Sequence, residues 1–357
     1  MKIARAYLRR EILAAVAMVL LAFLCLFAFF DFLAELEDLG RGDYRLKHSL
    51  IFVLLSIPSR AYEVMPIAVL IGSLYALTQF ARNSELTVLR AAGVSTMGLM
   101  LTLMQIGVIF VASTYVLGEY VAPPLERVAQ KWRLRSLNST VRNDLSSGVW
   151  LRDGRLFVNV QRVSADSGLE GVKIFDFDTD YKLTSINVAE RGEYSPQQGW
   201  LLSGVTQTRF LGDRTELLQM PELRWASELT PEMISVVMVN PERMSIARLY
   251  EYTRFLAANA QRSGRYEVAL WKKLAYPFVS LVMMGLALPF ALGNQRSVNV
   301  GARVLTGVML GIGFYLLNAL FSNLGVINNW PALMSAITPS VFFLLLAVAL
   351  MWMVDRR

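Results

Sequence analysis

The hydrophobic pattern has two regimes. Long, predominantly apolar runs occupy both ends of the chain, while the middle third alternates apolar and polar positions. The first run covers about Ile12 to Phe32 and carries no charge from Ile12 to Phe30. Others cover about Val53 to Ala81, Thr96 to Val121, Leu270 to Leu292, Val304 to Phe321 and Ala332 to Met353. A helix needs roughly 20 apolar residues to cross the hydrocarbon core, so the pattern predicts six membrane spans. Pro58 and Pro66 are expected to kink the second span, because proline removes a helix hydrogen bond and clashes with the preceding turn. Arg60 and Glu63, three apart near its end, share a face and can pair. Pro123-Pro124 is expected to end the third span, and the polar stretch Ser322–Pro331 to divide the last two.

Between about Leu125 and Glu242 the pattern changes. Leu125–Leu137 reads as an amphipathic helix with a basic side, formed by Arg127, Lys131, Arg133 and Arg135. Strand patterns follow at Gly154–Val163, Val172–Phe177, Leu183–Val188, Trp200–Phe210 and Glu216–Met220. Short strands at regular spacing, with Gly, Pro, Asn and Asp between them, predict an antiparallel sandwich or jelly roll. Ser245–Gln261 places Ile246, Leu249, Thr253, Leu256 and Ala260 on one side, an amphipathic helix expected to lie in the membrane interface before the fourth span.

A short polar island separates the second and third spans: Asn83-Ser84-Glu85-Leu86-Thr87-Val88-Leu89-Arg90-Ala91-Ala92-Gly93. It reads as a small helix. Asn83 or Ser84 is expected to cap its start through a side-chain oxygen, and Gly93 to end it in the left-handed conformation. Glu85 in the first turn and Arg90 in the last suit the helix dipole. Such an element is either a docking helix or a tight solvated connection.

Composition agrees with a membrane protein. Of 357 residues 55% are hydrophobic and 18% charged, below the roughly 25% charged of soluble domains. A single cysteine, Cys25, allows no intrachain disulfide, and with the single histidine, His48, it excludes a Cys/His metal cluster. The net charge of +7 first reports topology rather than nucleic acid. Six spans put both termini, the Asn83 helix and the Asn294–Arg303 loop on one side. The short segments there carry Lys2, Arg5, Arg9, Arg10, Arg82, Arg90, Arg296, Arg303, Arg356 and Arg357; the opposite short loops carry Arg41, Arg45, Lys47 and Arg60. The positive-inside rule makes the richer side cytoplasmic and the strand domain external.

The expected fold is a polytopic α-helical membrane protein with six transmembrane helices and an inserted periplasmic antiparallel β domain, jelly-roll-like. Residues 1–122 would hold spans one to three with the small helix at 83–93, 123–244 the β domain, and 245–357 a juxtamembrane helix and spans four to six. No Gly-x4-Gly-Lys-[Ser/Thr] phosphate loop, Gly-x-Ser-x-Gly or His-Glu-x-x-His occurs, so neither nucleotide binding by that loop nor a familiar catalytic centre is indicated. Two positive features stand out. Lys272 and Lys273, beside Trp271, and Arg133 lie at the external boundary, where cations hold lipid phosphates or serve as ordinary interfacial anchors. Gly307-x-x-x-Gly311 in the fifth span allows close helix approach, as a subunit seam or gate or as packing within one bundle.

Several ordered motifs then carry a resemblance over nearly the whole chain: Ser84-Glu85-Leu86 through Gly93, Gly118-Glu119-Tyr120-Val121-Ala122-Pro123, Trp150-Leu-Arg-Asp-Gly154, Gly264-Arg265-Tyr266 and Arg296-Ser297-Val298. With three spans on each side of a β domain, the chain resembles the lipopolysaccharide-export ABC transporter permeases of Gram-negative bacteria, the LptF/LptG type. The resemblance implies a non-enzymatic permease that extracts lipopolysaccharide from the inner membrane and passes it to a periplasmic jelly-roll bridge. It implies a heterodimer with a paralogous permease, a dimeric cytoplasmic ATPase holding the ATP and Mg, a single-span bridge partner beside the first span, and no cofactor or nucleic acid in this chain. Glu85, Leu86, Leu89 and Arg90 would form the ATPase-coupling helix, with Leu86 and Leu89 in the ATPase groove. Arg133 and Lys273 match family positions for basic residues near the lipid phosphates, and Tyr315, with Phe314 beside it, would lie on the cavity-lining fifth span. Where relatives can carry lysines at the external end of the first span, this chain has Asp31, Glu35, Glu37 and Asp38; bridging divalent cations or charges from the other subunit would then reach the phosphates. Another ABC-type lipid or lipoprotein exporter, or a non-transporting envelope scaffold, is the alternative.

Overall fold

The computed structural model describes residues 2–136, 148–163, 168–195, 199–212, 214–227, 229–231, 234, 241–259, 261–292 and 300–356. The motif Arg296-Ser297-Val298 lies outside them, as do Arg296 and Arg357 from the topology charges.

Six helices are long and apolar enough to cross a membrane. The first is α1 (Lys2–Glu35), and α2 (Leu46–Arg82) follows. At 1.5 Å per residue, the 37 residues of α2 are about 55 Å long, so it projects well beyond the hydrocarbon core. A short α3 (Glu85–Ala91) precedes α4 (Thr96–Val116). The third span does not stop at Pro123-Pro124. A π turn at Leu117–Val121, in which the Ala122 N–H reaches Leu117 O, carries it into α5 (Ala122–Ser136). Both prolines fall in the first turn of α5, where the ring geometry is tolerated. Beyond the sheet come α6 (Ile246–Ala258), α7 (Gly264–Leu292), α8 (Val300–Ile327) and α9 (Ala332–Asp355). The polar stretch Ser322–Pro331 is mostly helical: Ser322, Asn323 and Gly325 belong to α8. Side-chain polarity alone does not break a helix whose backbone bonds are internal.

In the bundle, α2 and α7 form the hub. Their most apolar windows are 78% and 61% buried, against 17% for α1 and α9 and 22% for α8. Val69, Leu70, Leu74 and Leu77 of α2 meet Met283, Met284, Leu286 and Leu288 of α7 in one core. Close approaches are made by glycines. A Cβ on Gly72 would come within 2.6 Å of Val16 Cα, seating α1 on α2. One on Gly307 would meet Leu74 Cδ1 at 2.7 Å, and one on Gly311 would meet Ile67 Cγ2 at 2.8 Å. Gly307 and Gly311 thus let α8 approach α2 within the chain.

The β domain is a six-stranded antiparallel sheet in sequential order. Its strands are β1 (Val149–Asp153), β2 (Leu156–Val163), β3 (Leu169–Phe177), β4 (Leu183–Ser195), β5 (Gly199–Phe210) and β6 (Thr215–Trp225). The topology is thus a meander, without the crossing connections of a double Greek key, among the described residues. Alternation puts Leu151, Val158, Ile174 and Val205 on one face, with Trp200 donating its indole N–H to Leu229 O at 2.6 Å. The expected interfacial helix is what covers this face: Leu249, Tyr252, Phe255 and Leu256 of α6 are buried in the sheet core. Its apolar side is used by the sheet and does not face lipid. Ala269 of α7 belongs to the same core, so α7 runs from the sheet into the membrane bundle.

Candidate functional site

A cavity of about 260 Å3 lies where α7 passes from the sheet core to the bundle. Its lining combines four elements. α2 supplies Arg60, Tyr62, Glu63 and Ile67; the one-turn helix Pro241–Arg243 supplies Glu242 and Arg243. α7 supplies Ala269, Lys272, Lys273 and Tyr276, and α8 supplies Phe314, Tyr315 and Asn318. Four of these side chains are cationic and two anionic. The opposite wall is mainly aromatic, with one buried amide, Asn318, and it is built on a helix that carries no charge after Arg303. The cavity is amphiphilic by construction.

Local chemistry positions each group. Helical spacing puts Lys272 and Lys273 on different sides of α7. Lys272 pairs with Glu242 at 2.7 Å. Lys273 is only 6% exposed; its ammonium donates to Met244 O and stands 5.5 Å over the Tyr62 ring. Tyr62 in turn packs on Gly118 of the π turn, where a Cβ would come within 2.4 Å of its ring. The same turn aims Glu119 at the first turn of α6, where its carboxylate accepts the Ile246 N–H at 2.8 Å. Tyr276 donates to Glu63 O and packs its ring at a tilt against Tyr62, centroids 4.9 Å apart. Phe314 is buried edge-on against Phe343 of α9, whereas Tyr315 is 65% exposed at the mouth. Beside the cavity runs a series of ion pairs. Arg60 reaches Glu63 at 2.9 Å, Arg243 lies 3.9 Å from Glu63, and Arg243 reaches the buried Glu126 of α5 at 2.6 Å.

The structure thus brings together Lys272, Lys273, Phe314 and Tyr315, and leaves Arg133 elsewhere. Arg133 of α5 bonds Glu35 at 3.0 Å and also Asp38, and stands over Phe52 at 5.5 Å. Tyr44 donates to Glu35 at 2.6 Å; burial, then that bond, raises the Tyr44 hydroxyl above its ordinary pKa. Asp31 takes two bonds from Arg60, at 2.6 and 2.8 Å. Three of the four carboxylates at the end of α1 therefore face arginines of their own chain. Sequence reasoning missed Tyr62, Glu242, Arg243, Tyr276 and Asn318 as cavity residues. Asn318, buried within a long charge-free run, was the one signal available.

At the other end of the bundle, α3 is held by its own apolar side. Leu86 is 1% exposed in the apolar core of the helix bundle, and Leu89 packs against the same core. Leu86 thus anchors α3 on this chain's own core, while Leu89 is only partly covered by it. Val88, 65% exposed, is the apolar residue that α3 presents outward, together with Thr87 and Arg90. No side chain caps α3; Ser84 instead adopts φ 60°. Gly93, at φ 88°, closes it as expected, with Val94 N–H on Leu89 O at 3.1 Å. Glu85 is reached by the Asn83 amide at 3.4 Å. Arg90 donates to Thr96 at 3.2 Å.

Six apolar helices, a sheet inserted between the third and fourth, and a charged cavity at their junction define a polytopic membrane protein with one extramembrane β domain. The family model for the lipopolysaccharide export system permease LptF/LptG matches residues 6–353, and the chain belongs to that family. It is 32% identical over 352 residues to the lipopolysaccharide export system permease protein LptG of Haemophilus influenzae, covering 98% of each chain. To the protein of the same name from Escherichia coli K12 it is 31% identical over 353 residues, covering 98% of this chain and 97% of that one. Within the family the likeness is to the LptG member, and the subunit is a permease rather than an enzyme.

Proposed function

We propose that this permease exports lipopolysaccharide by receiving the phosphate-bearing part of the lipid in the cavity between α2, α7 and α8. The observation that carries this reading is charge. Arg60, Arg243, Lys272 and Lys273 outnumber Glu63 and Glu242 in a cavity whose other wall is Phe314, Tyr315 and Ile67. Phosphate makes its strongest hydrogen bonds with cationic donors, and Arg holds it through two. The apolar wall suits acyl chains. Because α7 is shared by the cavity and the sheet core, a lipid seated there lies beside the domain that would pass it on.

The remaining parts follow the family pattern. Both termini and α3 face the cytoplasm, and the sheet faces the periplasm, as the short-loop charges favour. Energy comes from a separate dimeric ATPase that holds ATP and Mg, and α3 is its contact, with Val88, Glu85 and Arg90 toward the partner and Leu86 and Leu89 anchoring the helix. A paralogous permease completes a heterodimer. The exposed apolar side of α1, including Leu21, Phe29 and Phe30, suits the single-span partner.

The test compares lipopolysaccharide with its dephosphorylated form, binding to the assembled transporter in nanodiscs. Lys272→Ala with Arg243→Gln should weaken binding of the phosphorylated lipid about tenfold or more, as loss of charged hydrogen bonds does, and leave the dephosphorylated lipid nearly unchanged. Equal affinity of the wild type for both lipids would refute the reading.

A further inference from the structure

α1 is fastened to the bundle in two different ways. Toward α3 it is packed: Leu8, Ile12, Ala15 and Val16 are buried, and Val16 sits on Gly72. Beyond Val16 the only buried residue of α1 is Glu35, while Phe29, Phe30 and Leu33 are exposed. Val19, Leu20 and Phe23 still lean on the apolar core, but past Phe23 the helix is held by carboxylate–arginine bonds: Asp31 to Arg60 at 2.6 and 2.8 Å, and Glu35 to Arg133 at 3.0 Å. An apolar seam is indifferent to an arriving anion, but a carboxylate–arginine pair is not.

Arg60 belongs to both places. Its guanidinium spans Asp31 of α1 and Glu63, and it lines the cavity with Lys272 and Lys273. A phosphate group offers three acceptor oxygens and more charge than a carboxylate, and guanidinium matches it in the same two-pronged geometry. The geometry points to Arg60 as a ligand for the lipid phosphate that Asp31 holds in reserve. On this assignment, which rests on the lipid reading of the cavity, phosphate takes the guanidinium from Asp31. That exchange frees α1 at Asp31 and leaves the Glu35–Arg133 pair as the tether about which its β-domain end can shift, while its α3 end stays seated on Gly72. The acidic end of α1 then has a role that needs no bridging metal: it makes release of the helix conditional on an anionic lipid.

Spin labels at Leu33→Cys on α1 and Leu50→Cys on α2, both exposed positions, report the separation when the single native cysteine is replaced, Cys25→Ser. The measurement uses the assembled transporter in nanodiscs, with binding recorded in the same samples. Phosphorylated lipopolysaccharide should lengthen and broaden the Leu33–Leu50 distance, and dephosphorylated lipid should not. Asp31→Asn should show the lengthened distance without lipid. The exchange Asp31→Arg with Arg60→Asp restores a pair but removes the cation from the cavity. It should keep the resting distance, lose the lipid response and bind about tenfold more weakly. The proposal is overturned if phosphorylated lipid binds the wild type at full affinity with the distance unchanged, or if Asp31→Asn keeps the wild-type distance. Were the cavity reading itself wrong, binding would be insensitive to lipid phosphate, a separate outcome. Should Asp31→Asn fail to fold, the wild-type comparison of the two lipids still decides.

Discussion

Leu86→Ala isolates what holds α3 in place. The helix has seven residues, fewer than the roughly 12–15 that a helix needs to be even marginally stable alone. Its position therefore rests on tertiary contacts, and Leu86, 1% exposed, is the deepest of them. Truncating a buried leucine to alanine costs about 2–5 kcal/mol. Part of the gap will collapse at this bundle end, so the lower figure, about 2 kcal/mol, is the better expectation. That is about a 30-fold shift toward an undocked helix. Hydrogen exchange across residues 83–93 should accelerate correspondingly, lipid-stimulated ATP hydrolysis by the assembled transporter should fall several-fold, and lipid affinity at the distant cavity should hold. Val88→Asp is the counterpart: it lies on the exposed side, so exchange should match wild type while stimulated hydrolysis falls. Wild-type exchange protection in Leu86→Ala would refute the assignment of inner and outer faces.

Other substitutions probe the remaining contacts. Gly311→Val drives a side chain into Ile67 of α2, and overpacking of this kind costs about 1–3 kcal/mol; thermal unfolding should drop by several degrees. Gly313→Val, where a Cβ meets nothing within 4 Å, should not lower it. Trp200→Phe removes the buried indole donor to Leu229 O and should destabilise the β domain by about 1–3 kcal/mol, read by denaturant unfolding of the full chain. Arg133→Gln leaves the buried Glu35 with Tyr44 alone, so it should lower thermal stability with or without lipid; an effect confined to lipid binding would assign Arg133 to the cavity instead.

The spans were legible because a bilayer demands long charge-free runs, and that demand is written locally. Their ends were less so. Ser322 to Ile327 stays helical although polar, and Pro123-Pro124 is absorbed by the π turn, because backbone bonding and not side-chain polarity decides where a helix stops. The strand β1 was hidden in a stretch too short to show alternation. For α6 the periodicity identified the apolar face but not its cover, since a sheet core and a lipid interface ask for the same pattern. In the cavity, adjacent charges at the end of the fourth span drew attention to Lys272 and Lys273. Arg60 and Arg243 join them only through tertiary folding, which brings α2 beside residues far along the chain. Arg133 shows the converse: a basic residue at the expected depth whose partners, Glu35 and Asp38, could not be read from spacing.

The most direct test of the central claim is site-specific photo-crosslinking in membranes carrying lipopolysaccharide. A photoreactive amino acid at Tyr315, at the cavity mouth, is compared with one at Leu345, equally exposed but on α9 and outside the cavity lining. The account predicts a lipopolysaccharide adduct at position 315, reduced when Lys272 and Arg243 are neutralised, and none above background at 345. Equal labelling at the two positions, or labelling at 315 that ignores those two charges, would contradict it.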